Sequence, residues 1–243
     1  MLAPRNDLEA LREQFRAQGR LLIPNLLNAD FADQLLTRAE HWSEWRLVTR
    51  ISGMHREFDA LEMDKLPPER IALFQKLVND EARGGFQYLY ERYPLYEIAR
   101  AQQLNDQVLA QAYGLLRSED FLDLLRAVTG NALISYTDGQ LSRYRAGHFL
   151  TMHDDSADTL GRAAAFVINL TPNWSVDHGG LLQFVDQNGQ VEQAFTPRFN
   201  ALSLFRVPAV HSVSMVPPYV DRCRYALTGW ARVGEEAEVQ QAG

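Results

Sequence analysis

The chain has 243 residues, 46% hydrophobic and 23% charged, close to the globular average, which excludes a disordered, collagen-like or low-complexity polymer. At this length folding buries about 70–75% of the extended-chain surface, enough for a sizeable core. With 24 basic against 31 acidic residues the net charge is −7, opposite to the footprint of a duplex-binding domain, so no direct nucleic-acid partner is expected.

Residues 1–131 read as mainly helical. After a short apolar run, Leu21-Leu22-Ile23-Pro24, either Asn28 or Asp30 can cap a helix whose Phe31, Leu35 and Trp42 roughly share a face. Pro67-Pro68 suits a helix start. The aromatic stretch Phe86 to Pro94, with Tyr88, Tyr90 and Tyr93, reads as core or lid. Ser118 then caps a second helix, where Phe121, Leu124, Leu125 and Val128 fall at i, i+3, i+4 and i+7 and Gly130 ends it.

From about Ala132 to Val233 the period changes to two. Strand-like runs lie at Leu133–Tyr136, Ala163–Leu170, Gly180–Val185, Ala201–Val207 and Tyr225–Val233, separated by Gly, Pro, Asn and Asp. Such spacing predicts a sandwich or barrel. No Pro- or Gly-rich linker divides the halves, so a single α+β domain over 1–243 is expected, its helices packed on one sheet. Residues 234–243, with Glu235, Glu236 and Glu238, read as a solvated, frayed tail.

One cysteine, Cys223, cannot form an intramolecular disulfide, and Arg5, Asp7, Glu9, Arg12 and Glu13 interrupt the apolar stretch a signal peptide needs. A cytoplasmic location is the expectation. The longest uncharged stretch, Ala163 to Val176, contains Asn169, Pro172 and Asn173 and falls short of the roughly 20 apolar residues of a membrane span. No membrane partner is expected.

In Thr151-Met152-His153-Asp154-Asp155 residues two apart point to one side of a strand, so His153 and Asp155 can converge while Asp154 faces away. Two neighbouring ligands plus a distant histidine make the facial triad of non-haem Fe(II) sites, and His211 is the distant candidate. His55-x-Glu57 is an equally formal match. What favours the first pair is its sequel: His211, and 13 residues later Arg224, opening Arg224-Tyr225-Ala226-Leu227-Thr228-Gly229-Trp230. Arg224, Ala226, Thr228 and Trp230 share a face, and a guanidinium binds carboxylate bidentately without losing its charge. The bland alternatives are a buried polar cluster for the triad, a surface ion pair for Arg224, and plain sheet positions for Thr228 and Trp230.

With these residues the chain resembles the 2-oxoglutarate/Fe(II) oxygenases, within them the prolyl 4-hydroxylase-like group. The resemblance runs over about Ser142 to Arg232. It is carried by Tyr144 to Asp155, Asn169 to Trp174 with Gly179-Gly180, His211 to Ser214, and Arg224 to Trp230. The pattern is most like the hydroxylases that modify prolines of a ribosomal protein. It implies a double-stranded β-helix (jelly-roll) core in which His153, Asp155 and His211 hold Fe(II). Arg224, helped by Thr228, receives the distal carboxylate of 2-oxoglutarate; Tyr144 and Asn169 also face the co-substrate, and Trp230 walls the substrate pocket. Asn169 stands where related hydroxylases place a tyrosine, and Leu150 where another is often found.

The resemblance further implies oxygen as second co-substrate, ascorbate as an accessory reductant, succinate and carbon dioxide as co-products, and a protein bearing an exposed proline as partner. A hydroxylase of a free amino acid or biosynthetic intermediate, and a barrel that binds without turnover, remain the alternatives. Nothing in the sequence sets the oligomeric state.

Overall fold

Side-chain alternation along the strands decides the architecture of the second half, and it reaches further back than the sequence suggests. The computed structural model describes residues 1–156 and 161–236. It opens with α1 (Leu8–Gln18), β1 (Arg20–Pro24), α2 (Ala29–Glu40), the hairpin β2 (Arg46–Ile51) and β3 (Met54–Asp59), and the short α3 (Ala60–Asp64). Next come α4 (Pro68–Gly84), β4 (Tyr88–Tyr93), α5 (Leu95–Arg100), α6 (Gln107–Arg117) and α7 (Glu119–Thr129). The strands β5 (Ile134–Thr137), β6 (Gln140–Tyr144), β7 (Phe149–His153), β8 (Arg162–Asn169) and β9 (Leu182–Val185) follow. The last are β10 (Val191–Phe195), β11 (Ala201–Arg206), β12 (His211–Val213) and β13 (Arg224–Val233).

All strands join one antiparallel sheet, whose main path runs β1-β11-β8-β13-β6-β4-β7-β12-β9-β10 and curls into a nearly closed barrel. This is the jelly-roll architecture expected. Its two faces separate by alternation. Phe166 and Ile168 of β8, Leu202 and Leu204 of β11, and Tyr225 and Leu227 of β13 turn outward into the core shared with the helices. Ala165 and Val167, Phe205, and Arg224, Thr228 and Trp230 turn inward and line a cavity. Helix α7 seals the outer face as its caps dictate: the Ser118 hydroxyl accepts from Phe121 N–H, and Gly130 takes φ +70° at the C-terminus. In α2 the cap is Asn28, not Asp30.

The first half carries all seven described α-helices and also holds four strands. The Phe86–Pro94 stretch contains β4, seated between β6 and β7, because its residues alternate between half-buried and buried. The β2–β3 hairpin carries Arg46, Arg50, His55, Arg56 and Glu57 and shows no apolar alternation to betray it. Of the tail expected to fray, Glu236 is instead held: it pairs with Arg100 and Arg117, each at 2.6 Å, and accepts from the Tyr96 hydroxyl. Residues 237–243 lie outside the described residues. No described helix is long and apolar enough to cross a membrane.

Candidate active site

Strand pairing brings the two histidines together. His211 at the start of β12 lies opposite His153 at the end of β7, with ring centroids 4.1 Å apart. Each Nδ1 donates to the backbone carbonyl two residues earlier, His153 to Thr151 at 3.0 Å and His211 to Ala209 at 2.7 Å. A carbonyl can only accept, so Nδ1 carries the proton and Nε2 is left as a free lone pair, the tautomer a metal needs.

Asp155 arrives by a different route from the one its spacing suggests. The strand stops at His153, and Asp155 adopts φ +62°, a left-handed conformation that swings its carboxylate back toward the imidazoles. Its Oδ1 lies 3.4 Å from His153 Nε2 and its Oδ2 3.8 Å from His211 Nε2. The three side chains offer donor atoms all within 4.8 Å of one another, a set able to hold a metal ion. Burial pushes the Asp155 carboxyl up, but the neighbouring imidazoles, His153 first, and the Trp230 N–H outweigh it and hold the group at about 2. Burial, reinforced by His153, lowers His211 to about 4, which keeps it neutral. His55-x-Glu57 lies on the exposed hairpin, where Glu57 pairs with Arg46 and Arg92.

The triad lines a cavity of about 110 Å³ that also receives Arg224. Arg224 is 3% exposed, yet its Nε and Nη1 have no hydrogen-bond partner, and no described carboxylate pairs with it. Its guanidinium lies over the Tyr144 ring at 5.2 Å, and Tyr144 stacks on Tyr90. Desolvation presses the Arg224 pKa down, the mark of a buried cation awaiting an anion. Gly180, at φ +61°, packs against this side chain; a Cβ there would stand 3.2 Å from Arg224 Cδ.

Thr228, Tyr144 and Trp230 line the cavity, and Asn169 does not. Asn169 closes β8, where its amide donates toward Ala201 O and Ser203 Oγ at 3.3 Å and ties β8 to β11. Arg222, two residues before Arg224, donates to the carbonyls of Pro172 and Asn173. Sequence reasoning missed the contribution of β4 and β6: Tyr90, Gln140 and Ser142 line the cavity too. The alternation Tyr88, Tyr90 was the available signal. It also missed Arg162, stacked 3.8 Å over Trp230.

The barrel thus brings two histidines, one carboxylate and a buried arginine to a common cavity. Residues 139–232 match the family model of the 2OG-Fe(II) oxygenase superfamily. Among its relatives is a Xenopus laevis prolyl 3-hydroxylase, OGFOD1, 32% identical over 145 residues that cover 56% of this chain and 28% of that protein. The Drosophila melanogaster prolyl 3-hydroxylase sudestada1 is 26% identical over 161 residues, covering 59% of this chain and 29% of the other. The chain thus spans less than a third of the length of these relatives. A Pseudomonas putida prolyl-4-hydroxylase shares the fold with a TM-score of 0.59 at 18% identity, covering 94% of this chain and all of that one. A 2OG-Fe(II) oxygenase family oxidoreductase from Burkholderia pseudomallei reaches 0.62 at 14% identity, covering 98% and 96%.

Proposed function

We propose that the chain is a 2-oxoglutarate- and Fe(II)-dependent dioxygenase that hydroxylates a prolyl residue of a protein. The observation that carries this reading is the pairing, in one cavity, of an open His-His-Asp donor set with a buried, partnerless guanidinium. His153, Asp155 and His211 would hold the iron, three ligands that leave further positions open. When bound, iron and 2-oxoglutarate supply the oxidation: oxygen is reduced, the ketoacid becomes succinate and carbon dioxide, and one oxygen atom enters a substrate C–H bond.

The protein's own part is placement and shielding. Arg224 receives the far carboxylate of the co-substrate, which ends its isolation through charge-assisted hydrogen bonds. The Tyr144 ring beneath it fixes the plane of the guanidinium, and the Thr228 hydroxyl lies four residues along the same strand. Apolar walls from Ala165, Val167, Leu182 and Phe205 exclude water from the reacting end. The net charge of −7 suits a basic polypeptide as partner, and the lone free thiol Cys223 suits the reducing cytoplasm. Ascorbate would serve as the reductant that returns iron to the ferrous state.

Incubation with Fe(II), 2-oxoglutarate, ascorbate and proline-containing peptides should release succinate in step with the gain of one oxygen atom by one peptide. His153→Ala should abolish both. Succinate release with no peptide product, but with a hydroxylated amino acid, would move the substrate to small molecules. No metal-dependent loss of 2-oxoglutarate under any condition would refute the dioxygenase reading.

A further inference from the structure

The left-handed conformation of Asp155 raises a question that the strand cannot answer: what aims a carboxylate that lies beyond the regular ladder? Both oxygens of a carboxylate are competent ligands, and a second Asp155 oxygen on the metal would occupy a position needed by co-substrate or oxygen. One of them is already taken. Asp155 Oδ2, 3.8 Å from His211 Nε2, accepts from Trp230 Nε1 at 3.0 Å, which leaves Oδ1, 3.4 Å from His153 Nε2 and 3.9 Å from Arg162 Nη1. The indole is itself fixed from two sides. Arg162 lies over its ring at 3.8 Å and also donates through Nη1 to the Asp155 backbone carbonyl at 3.1 Å. The Trp230 backbone N–H donates to Asp138 Oδ1 at 2.9 Å, and Asp138 in turn accepts from Arg232 at 2.6 Å. Gly229 makes this possible, because a Cβ there would stand 2.2 Å from Asp138 O.

We propose that Trp230 is a positioning residue: its indole N–H holds Oδ2 so that Asp155 presents a single oxygen to the metal, with Arg162 clamping both the indole and the Asp155 backbone. This deepens the oxygenase reading and rests on it. Trp230 then does more than wall a substrate pocket.

The test uses Co(II), whose visible spectrum reports ligand number, titrated into the metal-free protein. Trp230→Phe keeps the ring and removes the N–H. It should weaken Co(II) binding by about 10- to 100-fold, as loss of an outer hydrogen bond to a ligand does, and alter the Co(II) absorption bands. In an Asp155→Ala background, the same substitution should change neither affinity nor spectrum further, because its effect passes through the carboxylate. An equal loss of affinity in both backgrounds would show that Trp230 acts by packing and would overturn the proposal, as would an unchanged spectrum. Arg162→Met provides a second variant should Trp230→Phe fail to fold. It retains the N–H but frees the indole, and should produce a smaller loss that likewise vanishes without Asp155; a loss that persists there refutes the clamp. If the wild-type protein binds no Co(II), the oxygenase reading fails and takes this inference with it. If the wild type binds and the variants match it, only the positioning role fails.

Discussion

Replacing Arg224 by methionine should move stability and binding in opposite directions. Arg224 is 3% exposed and two of its guanidinium nitrogens lack partners, so the ligand-free fold carries the cost of a desolvated, unpaired cation. An apolar side chain of similar length removes that cost; exchanges of buried charge for apolar groups stabilise by about 1–4 kcal/mol. For a domain of this size each kcal/mol corresponds to about 2–4 °C, so Arg224→Met should melt several degrees above wild type in the absence of ligand. Binding runs the other way. Two charge-assisted hydrogen bonds of about 1.5–3 kcal/mol each are lost, which predicts a rise of at least about 100-fold in the Kd for 2-oxoglutarate. Thermal melting with and without 2-oxoglutarate, in the presence of a divalent metal, reads both effects, since a ligand that binds only the folded state raises Tm with its concentration. Wild-type affinity in the variant would refute the assignment of Arg224 as anion anchor. A ligand-free variant that melts below wild type would refute the claim that the cation is held at a cost.

His148 is 5% exposed, and burial together with the charge of Arg145 depresses its pKa to about 3. Because the unfolded chain binds this proton from about pH 6.5 downward and the folded one does not, stability falls as pH drops, by up to about 1.4 kcal/mol per unit. His148→Leu should therefore flatten the loss of Tm between about pH 7 and about pH 5; an unchanged slope argues against a buried neutral imidazole. Glu91 is fully buried between Arg143 and Arg145, and Glu91→Gln should cost about 3 kcal/mol by leaving Arg143 without its carboxylate while Arg145 keeps Asp64, measured by urea unfolding. Glu236→Gln should cost only about 1 kcal/mol, since its contacts are partly solvated, but should open the chain after β13 to limited proteolysis.

The parts of the fold legible in the sequence are those in which one face is apolar and the punctuation is local. Helix α7 announces itself by Ser118, the spacing of Phe121 to Val128, and Gly130; β13 does so by Tyr225, Leu227 and Ala231 alternating with Arg224, Thr228 and Trp230. Helix α1 buries only Leu11 and Phe15, β2 buries the consecutive Leu47, Val48 and Thr49 without alternation, and β3 is largely exposed and charged, so their patterns are weak. At the site, the histidines and Arg224 were readable from type and spacing. The approach of Asp155 was not, because a positive φ at a non-glycine residue leaves no mark in the sequence. Asn169 lies on β8, where its amide nitrogen donates toward β11 while its buried Oδ1 has no hydrogen-bond partner.

The two imidazoles are oriented by backbone carbonyls two residues before them, at Thr151 and Ala209, whereas the carboxylate depends on side chains from two other strands. Backbone oxygens survive any substitution, so positions 151 and 209 can drift without disturbing the histidine tautomers. Mutational tolerance around this centre should accordingly be lopsided, generous on the histidine side and narrow at Asp155, Arg162 and Trp230. A library that randomises the neighbours of all three ligands would find nearly all its inactive members clustered around the aspartate.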